Sequence, residues 1–192
     1  MDLIRADLHL HSTASDGTWL PQELVAAAKQ ANLGAIAVTD HESVANVEQT
    51  EEYALEAGMQ FLRGVEISTT KGETSFHVLG YGIDIANRRL LELLDHNEYL
   101  LAKKDEDSIR ILSEKGWPVS LKEFHGYEYD RCRGGWKALF YLQDKGLCTD
   151  IMDFFNRIFT KENKLGFPVF PSIAETIDVI HNAGGVAILA HA

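Results

Sequence analysis

The chain has 192 residues, of which 45% are hydrophobic, and this is enough apolar material for one domain with a buried core. Its formal net charge is −11, and its 18 lysine and arginine residues form no long basic run, which argues against a protein that wraps a nucleic-acid duplex. The two cysteines, Cys132 and Cys148, do not have the spacing of a zinc knuckle. The sequence shows no signal-peptide pattern, and no apolar run has the length of a membrane span. We therefore expect a cytoplasmic protein.

The first part of the chain alternates strand patterns with helix patterns. Short apolar runs predict strands over residues 3–10, 35–38, 61–67 and 77–81. Between them, Pro21 and Gly34 bound one predicted amphipathic helix, and a second is predicted from Val44 to Ala57. Short apolar strands separated by helices predict parallel βαβ units with both faces of the sheet covered.

The middle of the chain has apolar residues at helical spacings and few strand signals, so we interpret it as a helical insert. After it, Ser172 and Glu175 form a capping-box sequence at the start of a predicted helix, and residues 186–190 are predicted to form the last strand. We therefore divide the chain into three parts. Residues 1–86 form the first part of a barrel, residues 87–170 form a helical insert, and residues 171–192 continue the barrel, which is cut short.

Candidate metal ligands stand next to the predicted strands. His9 and His11 are separated by one residue at the end of the first strand, so the alternation of side chains places them on one face together with Asp7. Further acidic or imidazole side chains adjoin the later apolar runs, namely Asp16, Asp40, His41, Glu66, His77 and His191. Because the C-terminal ends of barrel strands converge on one mouth, we expect these groups to meet there. Mixed imidazole and carboxylate ligands suit Zn²⁺, Mn²⁺ or Fe²⁺.

These motifs, in this order, resemble the PHP domain (polymerase and histidinol phosphatase) family. The family pattern consists of six short motifs, and each has a match here in the same order. The matches are His-x-His at His9–His11, Ser-Asp-Gly at Ser15–Gly17, Thr-Asp-His at Thr39–His41, Gly-Val-Glu at Gly64–Glu66, His-x-Leu-Gly at His77–Gly80 and Ala-His at Ala190–His191. The resemblance is strongest to phosphoesterases with a helical insert, which dephosphorylate nucleoside 3′,5′-bisphosphates or trim short RNA from its 5′ end. It implies an α/β fold, a distorted (β/α)7 barrel of PHP type.

The resemblance also implies a site with two or three divalent metal ions. The implied ligands are His9, His11, Asp16, His41, Glu66, His77 and His191. By this resemblance, Glu66 would bridge an ion held by the His9–His11 pair to an ion held with His77. Asp16, His41 and His191 would serve a third ion or share it. A metal-bridged hydroxide would then attack phosphorus, because bound cations lower the pKa of water toward about 7.

Other polar residues have predicted supporting roles. Asp7 and Asp40 are either strand-end surface carboxylates or groups that orient histidine imidazoles, and we favour the second interpretation. Three cations of the insert could clamp a second phosphate of the substrate, namely Arg131, Arg133 and Lys137.

Two departures from the family pattern bear on the site. The chain ends with Ala-His-Ala in place of Ala-His-Pro, before the family's Asp-x-His, which supplies two further ligands. We therefore expect a C-terminally incomplete barrel, with little turnover and with self-association through an open strand edge. Residues 133–136 are Arg-Gly-Gly-Trp where related phosphatases have Gly-Arg-x-His.

Three functions remain open from the sequence. The leading one is a metal-dependent phosphoesterase that acts on a small phosphorylated substrate, a nucleotide or a short RNA end, without duplex nucleic acid or membrane as a partner. The second is a metal-dependent hydrolase of an ester or amide bond. The third is a metal-binding domain without turnover.

Overall fold

The computed structural model describes residues 4–191 and has an α/β fold. Strands β1 to β5 comprise Ala6–Leu10, Ala35–Val38, Gln60–Lys71, Thr74–Tyr81 and Val186–Leu189. They form one mixed sheet in the order β1-β2-β3-β4-β5. Within the described residues, helices α1 to α7 comprise Pro21–Gln30, Val47–Glu56, Arg88–Glu114, Leu121–Gly126, Lys137–Asp144, Ile151–Asp153 and Ile173–Asn182. A 3₁₀ turn at Arg131–Arg133 precedes α5, and a π-helical turn at Phe154–Ile158 follows α6.

The prediction of parallel βαβ units is correct only for the first three strands. β1, β2 and β3 pair in parallel, but β3 and β4 form an antiparallel hairpin, and β5 runs antiparallel to β4. The hairpin turn is Gly72–Glu73, with Gly72 at a φ of 65°. Two residues are far too few for the crossover that joins parallel strands. The polar segment around this turn extends both strands beyond the predicted apolar runs.

This hairpin also changes where two candidate ligands lie. Glu66 and His77 are inside β3 and β4, and not beyond the C-terminal ends of parallel strands as predicted. Both strands continue past the site as an antiparallel ladder, in which Ser68 pairs with His77. At β3 and β4, the candidate site therefore lies over the middle of the sheet and not at the ends of strands.

The described strands form an open, curled sheet. The Tyr81 hydroxyl of β4 donates a 2.7 Å hydrogen bond to the Leu8 carbonyl oxygen of β1, although two strands lie between them in the sheet order. Residues 4–191 do not close this sheet into a seven-stranded barrel, and its edge strands expose apolar side chains, including Val186 and Ile188. The curl brings side chains of β1, β3 and β4 onto one concave face.

The described residues bury three apolar clusters. One lies between α1, α2 and the strands β1 to β3, and a second packs α3 and α7 against β3 and β4. The third is internal to the helical region, where Ile109 and Leu112 of α3 pack against Leu142 and Phe154. No helix among residues 4–191 has both the length and the apolar character needed to cross a membrane.

Candidate metal centre

Glu66 is the centre of a cluster of five imidazoles. Its side chain is fully buried in the middle of β3, on the concave face of the sheet. The Oε2 atom lies 2.9 Å from His9 Nε2, 3.0 Å from His11 Nε2 and 3.6 Å from His41 Nε2. Period-two alternation along β1 directs His9 toward this face, as the sequence predicted. His11 reaches the same oxygen from the residue after β1.

The second oxygen of Glu66 faces the other side of the cluster. Oε1 lies 3.1 Å from His77 Nδ1 and 3.6 Å from His191 Nε2. It is buried, and no described residue donates a well-aligned hydrogen bond to it. Such an orphaned carboxylate oxygen is costly unless a cation or donor satisfies it. Among imidazole nitrogens, it fits a divalent metal ion.

Asp16 and His41 extend the cluster away from Glu66. Asp16 Oδ1 lies 2.8 Å from His11 Nδ1, and Asp16 Oδ2 lies 3.9 Å from His41 Nε2. Three groups of ligand atoms lie within 4.8 Å of one another, namely His9–His11–Glu66, His11–Asp16–His41 and His41–Glu66–His77. Neighbouring groups share members, which is the arrangement expected for adjacent ions with bridging ligands.

His191 lies in a different part of the cluster from the one that the resemblance implied. Its ring centroid is 5.2 Å from that of His9 and 5.6 Å from that of His77. It is therefore beside the Oε1 side of Glu66, and not grouped with Asp16 and His41. The antiparallel pairing of β5 with β4 explains this position, because it leads the chain back to His77 at the end of β5.

The protonation states of the cluster suit metal binding. Burial opposes the charge of Glu66, but the surrounding imidazoles lower its pKa far below the ordinary value. Burial lowers the pKa of His41 to about 4, so this ring is neutral at pH 7. Burial also opposes protonation of His11, but hydrogen bonding to Asp16 and Glu66 raises its pKa to about 10. Metals bind ionised carboxylates and neutral imidazoles, so His11 would lose its proton on binding.

Asp40 holds the loop that carries two of the ligands. Its buried carboxylate accepts hydrogen bonds of 2.7 Å from the Ser12 backbone N–H, 2.6 Å from Ser12 Oγ and 2.6 Å from Ser15 Oγ. The predicted contact of Asp40 with an imidazole is therefore wrong. The hydrogen-bond donors of the turn after β1 point at the Asp40 carboxylate instead. Asp7 likewise accepts a 3.2 Å hydrogen bond from the His9 backbone N–H, and not from a ring.

Glu42 and Asn97 support the cluster and were missed from the sequence. Buried Glu42 accepts hydrogen bonds of 2.6 Å from the Ser68 backbone N–H and 2.9 Å from Asn97 Nδ2. These bonds connect the loop of His41 with β3 and α3. The available signals were a carboxylate directly after Thr-Asp-His and an asparagine at a core position of α3.

Arg131 contacts the loop that carries Asp16. Its guanidinium donates hydrogen bonds of 3.3 and 3.0 Å to the carbonyl oxygens of Thr13 and Ala14. The Gly135 backbone N–H donates a 3.0 Å hydrogen bond to the Asp16 carbonyl oxygen. The segment between α4 and α5 is therefore docked against the rim of the cluster.

The other two predicted substrate cations have partners within the helical region. Arg133 donates hydrogen bonds of 2.9 and 2.8 Å to the carboxylate of Asp144. Lys137 Nζ donates a 3.4 Å hydrogen bond to the His125 carbonyl oxygen. A role in phosphate binding would require both cations to exchange these partners.

The glycine of the Ser-Asp-Gly motif is required by a close backbone approach. A Cβ atom on Gly17 would collide with the carbonyl group of His11 and would lie 2.8 Å from the Ser12 nitrogen. We expect Gly17→Ala to displace the loop, to lower the free energy of unfolding by about 1 to 3 kcal/mol and to weaken metal binding. Chemical denaturation and Mn²⁺ titration measure the two effects. Gly126→Ala is the matched control, because its Cβ would meet nothing within 4 Å; equal effects of both changes would contradict the prediction.

The curled sheet and its buried carboxylate with converging imidazoles define a class of α/β protein whose side chains suit the binding of divalent metal. Within that class, the chain belongs to the PHP domain family, whose model matches residues 7–165.

Two curated relatives and one solved structure illustrate the similarity. The 5′-3′ exoribonuclease Rnm of Salmonella typhimurium is 32% identical over 197 residues, covering 96% of this chain and 64% of the relative. The 3′,5′-nucleoside bisphosphate phosphatase of Chromobacterium violaceum is 27% identical over 197 residues, covering 96% of this chain and 66% of the relative. The structure of an amidohydrolase from Chromobacterium violaceum, with bound sulfate and no metal, has a TM-score of 0.83 at 25% identity, covering 97% of this chain and 66% of that one. The chain thus spans about two thirds of the length of these relatives.

Proposed function

We propose that this chain provides the metal centre of a phosphoesterase that hydrolyses a phosphomonoester of a small nucleotide or of a short RNA end. The observation that carries this proposal is the buried Glu66 carboxylate, which meets five imidazole rings within 3.6 Å. A carboxylate at this position serves metal ions, since each of its oxygens faces ligand nitrogens. The names of the exoribonuclease and bisphosphate phosphatase relatives support phosphate esters as the substrate class.

Each part of the cluster has a definite task in this proposal. When bound, two or three Mn, Fe or Zn ions would supply Lewis-acid activation of water and neutralise charge on the phosphoryl group. Glu66 belongs to two of the three ligand groups and would be shared by the ions that they hold, and neutral His41 offers a lone pair at pH 7. Asp40 fixes the loop, so that His11 and Asp16 are directed at the same point. Arg131 supports this loop from the helical region.

The helical region restricts what can reach the centre. Its segment at Arg131–Gly135 contacts the Ser12–Gly17 loop on the rim of the cluster. We infer that a mononucleotide or a single-stranded end enters beside this segment, whereas a duplex is excluded. We further propose that residues 87–170 are a helical insert within a distorted (β/α)7 barrel, with barrel parts at residues 1–86 and 171–192. The separate apolar cluster inside the helical region supports the insert. The cytoplasmic location and self-association through an open edge stay predictions.

Phosphate release tests the proposed function directly. Because little turnover is expected of this chain, we expect the Mn²⁺-loaded protein to release phosphate from a nucleoside 3′,5′-bisphosphate slowly but measurably, and we expect a chelator to stop the release. His41→Ala is expected to lower turnover by about 100-fold or more, because it removes a ligand shared by two of the three groups. His181→Ala, a histidine of α7 outside the cluster, is the control. Unchanged turnover in His41→Ala would contradict the proposal.

A second candidate function is hydrolysis of an amide or ester bond. It is favoured by the similarity to the amidohydrolase structure from Chromobacterium violaceum. A panel of amide and ester substrates, assayed with the same metal-loaded chain, separates the two functions. Turnover of an amide without phosphate release would favour this second candidate, and metal binding without either activity would favour a binding domain.

A further inference from the structure

A basic cavity lies in the helical region, outside the metal centre. It has a volume of about 320 Å³, is open to solvent and lies between α3 and the segment that leads from the π-helical turn toward α7. We call it the basic cleft, and its lining includes Lys103, Lys104, Asp107, Arg110, Lys164 and Pro168. Its lining carries four cations and one carboxylate, and Lys104 is already paired with buried Asp105 at 2.8 Å, in a chain whose net charge is −11. Lys103, Arg110 and Lys164 therefore give the cleft a local excess of positive charge, and such a patch attracts anions.

The ion pairs in the basic cleft are weak enough to be exchanged. Asp107 lies 3.1 Å from both Lys103 Nζ and Arg110 Nη2, and Arg110 also pairs with Glu114 at 3.1 Å. All these side chains are about half exposed, and exposed pairs within one helix contribute only about 0.3–0.5 kcal/mol each. A phosphate diester would be a stronger partner for these cations than one shared carboxylate.

Lys164 is the second observation that points to an anionic ligand. Its φ is 59°, in the left-handed region where glycine or asparagine is favoured. Its side chain is exposed and lines the cleft. No carboxylate within residues 4–191 forms an ion pair with Lys164. Its ammonium group is thus available to a ligand in the basic cleft.

An exposed aromatic ring borders the same cavity. Phe167 stands between the lining residues Gly166 and Pro168, and 51% of its surface is exposed. The ring meets that of Phe159 edge to face, with centroids 5.1 Å apart, and Lys104 Nζ lies 5.6 Å from the Phe167 centroid. An exposed ring beside cations is the combination that single-stranded nucleic acids use, because a base stacks while the neighbouring phosphates are neutralised.

The basic cleft is connected to the metal centre by a short chain of contacts. Gly135 bonds to the Asp16 carbonyl oxygen, and the ring of the next residue, Trp136, lies 5.5 Å from Lys104 Nζ. Along α3, the cations from Lys103 to Arg110 are roughly 9 to 20 Å beyond Asn97. A single nucleotide at the metal centre would not fill both places, whereas an oligonucleotide could.

We propose that the basic cleft binds the downstream part of a short single-stranded RNA whose end is at the metal centre. Phe167 stacks on a base, and Lys103, Arg110 and Lys164 contact phosphates. This inference rests on the proposed function and extends it, because it favours RNA over a free mononucleotide as the substrate of the same chain.

The test measures RNA binding separately from turnover. Fluorescence anisotropy of a labelled short single-stranded RNA is recorded with the chelator-treated chain, in which no hydrolysis occurs. We expect Phe167→Leu to weaken binding by about tenfold through loss of stacking. We expect Lys164→Gln to reduce the slope of log affinity against log salt by about 0.7, the value for one phosphate contact on a single strand. Lys161→Gln, an exposed lysine of the same segment that does not line the cavity, is the matched control.

The outcomes distinguish this inference from the proposed function. Loss of affinity in both cleft variants, with Lys161→Gln unchanged, would support it, even if no phosphate were ever released from a nucleotide. Equal RNA affinity in all variants, or no RNA binding by a chain that still dephosphorylates a nucleoside bisphosphate, would overturn it and leave the phosphoesterase proposal intact. Equally tight binding of duplex RNA or of polyglutamate would also overturn it, since either would indicate a general anion site.

Discussion

Glu66→Gln is expected to lower the affinity of the chain for Mn²⁺ by at least about 100-fold and to remove phosphate release. The carboxylate is fully buried, belongs to two of the three ligand groups and has one oxygen that accepts no hydrogen bond from the described residues. Glutamine keeps the size of the side chain but replaces one ligand oxygen with an NH₂ group, which only donates hydrogen bonds and cannot bind a cation. Loss of a group that only orients a ligand commonly costs 10- to 100-fold, and a shared ligand should cost more.

Calorimetric titration and elemental analysis after dialysis against metal measure this effect. Glu73→Gln is the matched control, because Glu73 belongs to the same β3–β4 hairpin but is exposed at its turn. The control should bind metal as the unmodified chain does. If Glu66→Gln retained both its metal content and its phosphate release, Glu66 would not be the central ligand.

Asp40→Ala is expected to lower the free energy of unfolding by about 3 to 5 kcal/mol. The buried carboxylate accepts three hydrogen bonds of 2.6–2.7 Å, and bonds to a charged acceptor contribute about 1.5–3 kcal/mol each without being additive. Truncation also leaves the Ser12 N–H without its acceptor. For a chain of this size the expected loss corresponds to a decrease in Tm of roughly 10 °C.

The measurement is thermal and urea unfolding of the metal-free chain, so that changes in metal binding do not contribute. Asp40→Asn should have a smaller effect, because its amide oxygen still accepts from two donors. Asp7→Ala, which removes one 3.2 Å hydrogen bond from a half-buried residue, should cost less than about 1 kcal/mol. Similar losses in Asp7→Ala and Asp40→Ala would show that the loop does not depend on Asp40.

The structure also separates two kinds of polar residue that a motif presents together. In Thr39-Asp40-His41 the aspartate fixes a loop, whereas the histidine points into the metal cluster. Variants of Asp40 and of His41 should therefore change different measured properties. Asp40 variants should change stability before metal is added, and His41 variants should chiefly change the binding of metal.

The sequence by itself predicted the histidines and carboxylates that meet in the cluster, and it predicted several local elements. The spacing of His9 and His11 predicted that both side chains lie on one face, because side-chain direction alternates along a strand. Carboxylates next to the other apolar runs completed the predicted metal cluster, because ligand chemistry depends on residue type. The helices at Pro21–Gln30 and Ile173–Asn182 were predicted for a similarly local reason, since caps, glycine stops and apolar spacing act within a few residues.

Only the tertiary structure decided how these parts meet. Two of these arrangements depend on segments that are distant in the chain, namely the position of His191 beside His77 and the hydrogen bonds of Asp40 to Ser12. The direction of β4, which pairs antiparallel to β3, is a third. A short apolar run has the same pattern in a parallel and an antiparallel strand, so periodicity does not determine its direction. A carboxylate after a strand has equal capacity to accept from a ring or from a backbone N–H, and the fold decides which donor is within reach.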